Sequence, residues 1–232
     1  MRNLLLSLSL LLLASLSPAH AQQAPLRGLT AGVEYRLIEG GSPYRPQAGK
    51  TEVAEIFAYW CHHCAAFDPK LATWKRTLPA TAQFVALPLV SSPDDAYARV
   101  FYAAEASGSL TVLHPRLFRA IHETNELPKA ARLDQVTAFV AKVQGVKSAA
   151  FKAALADDAA MRIKLDLAKQ FAQRSDIPGT PSLVIDGRYL VLGNSYESLL
   201  ANAGKIVAAL APPARPAAKR PATKPVAPKP RS

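Results

Sequence analysis

Residues 52–75 read EVAEIFAYWCHHCAAFDPKLATWK, and the fold turns on that stretch. Glu52–Trp60 is dense in β-branched and aromatic side chains, the composition of a strand covered on both faces, as in a central or parallel position. From Ala65 to Leu78 the chain (AAFDPKLATWKRTL) reads as helix. Between the two elements stands Cys61-His62-His63-Cys64, and the chain has no other cysteine.

A cysteine at the N-terminus of a helix faces unpaired backbone N–H groups and the positive end of the dipole, which favour an anion. A thiolate at Cys61 is therefore stabilised and its pKa is expected to fall. Cys64, one turn deeper, is expected to be less exposed. That asymmetry suits Cys61 as the attacking or leaving sulfur and Cys64 as the resolving one. His62 and His63 add donors, and positive charge when protonated, beside the Cys61 sulfur. Stabilising the reduced thiolate makes the Cys61–Cys64 disulfide easier to reduce, hence a better oxidant. Two other readings compete: an inert structural disulfide, and a metal site built from the four residues. Four contiguous ligands do not easily surround one tetrahedral ion, because helical neighbours project about 100° apart. Copper binding by Cys61 and His62 stays open.

Outside this motif, composition excludes several classes. Half of the 232 residues are apolar and 19% are charged, enough for a real core and too few charges for wholesale disorder. Two cysteines cannot make a four-cysteine metal site or a disulfide-stapled framework. Net charge is +11, yet residues 212–232 hold six basic side chains and no acid. Setting those six and Arg2 aside leaves the remainder at +4. The high pI thus reports a basic tail on a mildly basic body and does not call for a nucleic-acid partner. With seven prolines, residues 212–232 are read as a disordered, polyproline-biased tail. Residues 1–21 read as a secretory signal peptide: Arg2, a leucine-rich run to Leu16, and Ala19-His20-Ala21 as cleavage site, with cleavage expected after Ala21. The apolar run is shorter than the ~20 residues a span needs. Export places the chain where a disulfide persists.

The body alternates. Residues 22–32 read as a linker, Val33–Ile38 as a short strand and Gln83–Val90 as a strand ending near Pro88. Ser91–Ser175 reads as helical almost throughout: Asp94–Ser107 with an acidic first turn, then Leu117–Glu123, Leu133–Val143, Ser148–Leu155 and Ala159–Arg174. After the rigid Ile177-Pro178-Gly179-Thr180-Pro181 turn come Ser182–Ile185, an Asp186-Gly187 hairpin signal, Arg188–Leu192, and a closing amphipathic helix over Ser195–Leu210. The order describes a mixed sheet with a long helical insertion.

FAYWCHHCAAFDP, followed much later by GTPSLVIDGRYLV, resembles the DsbA-type thiol–disulfide oxidoreductases of the thioredoxin-fold superfamily. The resemblance covers about residues 33–211. It implies an α/β fold, thioredoxin-like over 33–90 and 176–211, with 91–175 as an inserted helical domain. By position it makes Cys61 the nucleophile, Cys64 the resolving cysteine, His63 the thiolate-stabilising histidine and Pro181 a cis-proline lying against the two cysteines. Glu55, mid-strand six residues before Cys61, would be a buried acid relaying the proton of Cys64, its pKa raised by desolvation. The implied activity is that of a periplasmic dithiol oxidase passing its disulfide to exported proteins with free cysteines. A membrane quinone-linked thiol oxidase (DsbB-like) would re-oxidise it, and no bound cofactor or metal is expected.

Three departures qualify the match. His62-His63 replaces the family's commoner Pro-His. Thr180 stands where the best-known oxidases have valine and isomerase relatives often have threonine, which keeps a reductase or isomerase as an alternative, beside a metal-binding chaperone using Cys61, His62 and His63. Isomerase relatives carry an N-terminal dimerisation domain, for which residues 22–32 leave no room, so an oxidase and a monomer are expected. Of the remaining residues, Trp60 is read as substrate platform or ordinary packing, Pro69 as a kink inside the helix, and Tyr97, Phe101 and Tyr102 as core. His114 and His122 are expected at the surface, with Pro115 as a first-turn residue.

Overall fold

The structure is a computed structural model and describes residues 25–211. The signal peptide with its cleavage site, the start of the 22–32 linker and the tail from 212 lie outside the described residues. A five-stranded sheet runs in the order β1-β5-β4-β2-β3, built from β1 (Tyr35–Leu37), β2 (Thr51–Phe57), β3 (Ala82–Pro88), β4 (Ser182–Ile185) and β5 (Tyr189–Val191). β2 pairs parallel to β3 on one side and antiparallel to β4 on the other. Every residue of β2 after Thr51 is buried, as a strand covered on both faces requires.

Two helices cover one face. α1 (His62–Lys75) buries Cys64, Phe67 and Leu71, and α7 (Tyr196–Leu210) buries Leu199, Leu200, Ala203, Ile206 and Val207. With Val53, Leu183 and Ile185 of the sheet, Phe67, Leu71 and these α7 residues form one hydrophobic cluster, while Cys64 packs in the other. Five helices lie in sequence between β3 and β4: α2 (Ala96–Ala106), α3 (Leu110–His122), α4 (Leu133–Val140), α5 (Ser148–Ala156) and α6 (Asp158–Arg174). They pack in a second cluster with Ala54, Ile56, Phe57 and Val184. Tyr97, Phe101 and Tyr102 are buried there, as core.

Boundaries differ from the expectations where a cap decides. Asp94 does not open α2; Asp95 caps it, its carboxylate accepting the Ala98 N–H at 3.0 Å. α3 starts seven residues earlier than expected, at Leu110 after Ser109. Leu113, Leu117 and Ile121 carry a buried stripe through Pro115, which is inside the helix rather than in its first turn. The proline lies on an exposed face, where the Thr111 carbonyl it leaves without an N–H can be solvated. α4 stops at Val140, three residues short of the expected end. Pro69 also lies within an unbroken helix, α1. At the β4–β5 turn Asp186 and Gly187 both have positive φ (53° and 66°). The Arg188 N–H closes the turn on the Ile185 carbonyl at 3.0 Å. A side chain at Gly187 would collide with the Ser42 carbonyl.

Candidate active site

β2 ends at Phe57, and the chain turns through Ala58, Tyr59 and Trp60, with the Cys61 N–H on the Ala58 carbonyl at 3.1 Å. Cys61 is the N-cap of α1 in extended conformation (φ −81°, ψ 116°), and its carbonyl accepts the first intrahelical bond from Ala65 at 3.2 Å. An N-cap side chain meets the free N–H groups of the first turn; here that side chain is a thiol. Facing it is the Thr180–Pro181 peptide, which is cis. The Thr180 carbonyl accepts the Cys61 Sγ–H at 3.3 Å. Both cysteines are free thiols, 7% exposed at Cys61 and 0% at Cys64.

The two sulfurs differ as their positions demand. Burial alone would raise the Cys61 pKa. Hydrogen bonds from the Thr180 side chain, from the N–H and thiol of Cys64, and from the N–H of His63 outweigh it and hold the thiol below its ordinary value. For Cys64 burial dominates, and its thiol is pushed well above the ordinary range despite the Ala58 N–H. One sulfur is prepared to be an anion and the other to stay protonated.

The two imidazoles lie against each other beside the site. His63 reaches Cys61 through its backbone N–H. Its ring lies against that of His62, centroids 3.8 Å apart and planes tilted by 39°, and its Nδ1 lies 3.2 Å from the Tyr196 hydroxyl, which donates to the His63 carbonyl at 3.1 Å. Since that hydroxyl spends its proton on the carbonyl, Nδ1 is the donor of the other bond. His62 is exposed, and its pKa is lowered by His63 first, then by slight burial, Lys129 and His122. Among the described residues no three His, Cys, Asp or Glu side chains are grouped to hold a metal ion. Tyr196 was not singled out from sequence; a tyrosine opening a helix behind a serine cap carries no signal of what it touches 133 residues away. Tyr196→Phe should lower stability by roughly 0.5–1 kcal/mol, the net value of a typical hydrogen bond. A denaturant midpoint measures this, and imidazole NMR should show the His63 ring released.

Glu55 is 4% exposed on β2. Burial, moderated by Lys75 and reinforced by Asp68, pushes its carboxyl up to about 8. It lines a cavity of about 400 Å³ together with Asp68, Lys75 and His114. Lys75 itself sits 4.5 Å over the Phe84 ring. Trp60 is 41% exposed and borders a second cavity, of about 490 Å³, with Tyr97 and Lys129.

His114 and His122 are not surface residues. Both are half-buried. The His114 Nδ1 lies 2.7 Å from the Tyr59 hydroxyl and its Nε2 3.4 Å from an Asp68 oxygen. The His122 Nε2 lies 2.7 Å from the Tyr59 carbonyl. The reason for His114 is that α3 begins at Leu110, which puts His114 on the face of Leu117, Phe118 and Ile121; His122 lies within the expected helix, and only its packing on Tyr59 takes it from the surface.

Residues 62–204 match the family model of the DSBA-like thioredoxin domain. The thiol:disulfide interchange protein DsbA of Pseudomonas aeruginosa strain PAO1 is 35% identical over 190 residues, covering 82% of this chain and 86% of the relative. DsbA of Pseudomonas syringae pv. tomato is 31% identical over 190 residues, 82% of this chain and 85% of its own. Among solved structures, the oxidoreductase DsbA from Xylella fastidiosa superposes with a TM-score of 0.72 at 34% identity, covering 78% of this chain and 96% of that one. The Pseudomonas aeruginosa DsbA crystal structure gives 0.69 at 30% identity, with 78% and 93% covered. A dithiol of unequal sulfurs at the head of α1, in a fold shared with these proteins over most of its length, makes this chain a member of the DSBA-like thioredoxin family and a thiol:disulfide oxidoreductase.

Proposed function

We propose that the protein works in the periplasm as a dithiol oxidase, with Cys61 as its reactive sulfur and Cys64 as its resolving one. The unequal pKa values of the two thiols carry this reading. A substrate thiolate attacks Cys61 of the Cys61–Cys64 disulfide. The substrate–Cys61 bond forms as the Cys61–Cys64 bond breaks, and its electron pair leaves on Cys64. That sulfur has a high proton affinity and takes a proton from the Glu55 carboxyl, which is still protonated at pH 7 with a pKa of about 8. A second substrate thiolate attacks the substrate sulfur of the mixed disulfide, and Cys61 departs as a stabilised thiolate. The substrate loses two electrons and the pair gains them. Thr180 and the exposed Trp60 border the place where an incoming peptide must lie. Exported proteins with free cysteines are the substrates, and a membrane quinone-linked thiol oxidase takes the two electrons away.

Oxidative refolding of a reduced protein substrate, run beside insulin reduction, tests the direction. The oxidised enzyme should accelerate refolding and Cys61→Ser should abolish the effect. Insulin reduction outpacing oxidation would favour a reductase or isomerase instead, the reading that Thr180 supports.

A further inference from the structure

Two histidines of α3 converge on one residue of the turn that leads into Cys61. Tyr59 is 1% exposed, and it is held at both ends: hydroxyl by His114 and carbonyl by His122, each at 2.7 Å. A carbonyl only accepts, so His122 carries a proton on Nε2 and donates it. His114 approaches Asp68 through Nε2 at 3.4 Å. A proton on that nitrogen leaves Nδ1 to accept from the Tyr59 hydroxyl, giving an oriented chain Tyr59–His114–Asp68 that ties the turn to α1. His114, Phe118 and His122 are spaced four apart on one helical face. Phe118 fills the gap, its ring 5.0 Å from Tyr59 and 5.1 Å from His114.

The held segment carries parts of the reacting site. The Ala58 carbonyl anchors the Cys61 N–H at 3.1 Å, the Ala58 N–H opposes the burial that pushes up the Cys64 thiol, and Trp60 stands exposed between Tyr59 and Cys61. Packing by apolar side chains would bury Tyr59 as well, but it would not fix the plane of the Tyr59–Trp60 peptide. A directed donor does.

We infer that His122, seconded by His114, is a positioning residue for Cys61: α3 holds the Tyr59 peptide and thereby keeps Cys61 at the N-cap and Trp60 beside it. The helices between β3 and β4 then belong to the reacting unit rather than only covering the sheet. The inference rests on Cys61 being the reactive thiol.

The test compares His122→Leu, which removes the donor, with His122→Gln, which keeps an N–H at similar reach. Three readouts are taken on the full chain: the Cys61 pKa by thiolate absorbance, kcat/KM for oxidation of a dithiol peptide, and the melting temperature. The leucine variant should raise the Cys61 pKa and lower kcat/KM roughly tenfold or more, the scale of a small misplacement of a reacting group, and glutamine should restore most of both. Wild-type values in the leucine variant, or equal impairment in both variants, would overturn the inference. If the leucine variant does not fold, Tyr59→Phe carries the test through the second anchor, since it keeps the ring and removes only the hydroxyl. A smaller change of the same sign supports the inference and an unchanged Cys61 overturns it. Should wild-type Cys61 itself titrate as an ordinary thiol, the reading of Cys61 fails first, before any variant is compared.

Discussion

Replacing Glu55 by glutamine is expected to raise the stability of the protein at pH 7 by about 3 kcal/mol, the worth of the interval between an ordinary carboxyl and pH 7 at about 1.4 kcal/mol per unit. The folded-state pKa lies at about 8 against 4.5 for the free group. The folded protein therefore holds a proton that the unfolded chain has released between those two values. Stability is then full below 4.5, declines as pH rises toward 8, and levels off above it, where the group is ionised in both states. Glutamine mimics the protonated acid at every pH, so the variant should match wild type at pH 4 and pull ahead through neutrality. Urea midpoints at acid, neutral and alkaline pH measure the divergence; parallel curves would mean that the carboxyl is not held protonated. The same substitution should slow mixed-disulfide formation at neutral pH, where Glu55 is protonated and glutamine cannot hand a proton to Cys64, and the difference should vanish above pH 8, where Glu55 has lost its proton. A buried acid that destabilises the fold and is still present is what a functional group looks like in stability data.

The second large effect lies at Thr180. Its side chain is first among the groups that oppose the burial that would keep the thiol neutral. Thr180→Val keeps the shape and removes the hydroxyl. The Cys61 pKa should rise by roughly half to one unit, the equivalent of one hydrogen bond of about 1 kcal/mol. Losing stabilisation of the reduced thiolate makes the disulfide harder to reduce, so the reduction potential should fall with it. The linkage gives an independent check. A folded pKa below that of the free thiol adds stability to the reduced protein above the free thiol's value, and that stability is lost as pH falls through the folded pKa. On acidification through the Cys61 titration the reduced form should therefore lose melting temperature relative to the oxidised form, and the loss should be smaller in the valine variant. A wild-type Cys61 that titrates near ~8.5 would remove the oxidase reading altogether.

Much of this site was legible before any coordinates. A dense apolar run, two cysteines three apart and a following helix require a strand-to-helix junction with a thiol at the helix start. The N-cap geometry of Cys61 and the burial of Cys64 realise that requirement. The element order and the Asp186-Gly187 turn were legible for the same reason: periodicity and turn chemistry act over a few neighbouring residues, and the chain prints them directly. Glu55 was visible as a charge in an apolar strand, because such a residue either breaks the strand or is buried with a shifted pKa.

What only the tertiary structure decided concerns partners far apart in the chain. Nothing near His63 shows that its ring would meet the Tyr196 hydroxyl, or that its backbone N–H would help to lower the Cys61 pKa. The polar hold of His114 and His122 on Tyr59 depends on how α3 is docked, and a proline within a continuous helix hides the face it shares with its neighbours. Thr180 lies 119 residues from Cys61, and its closeness is a product of β4 pairing beside β2. Local physical chemistry determined what each residue could be, a strand, a cap, a thiolate or a buried acid. The packing of helices on the sheet determined which donors those groups met, and thereby which thiol is held low and which is pushed up.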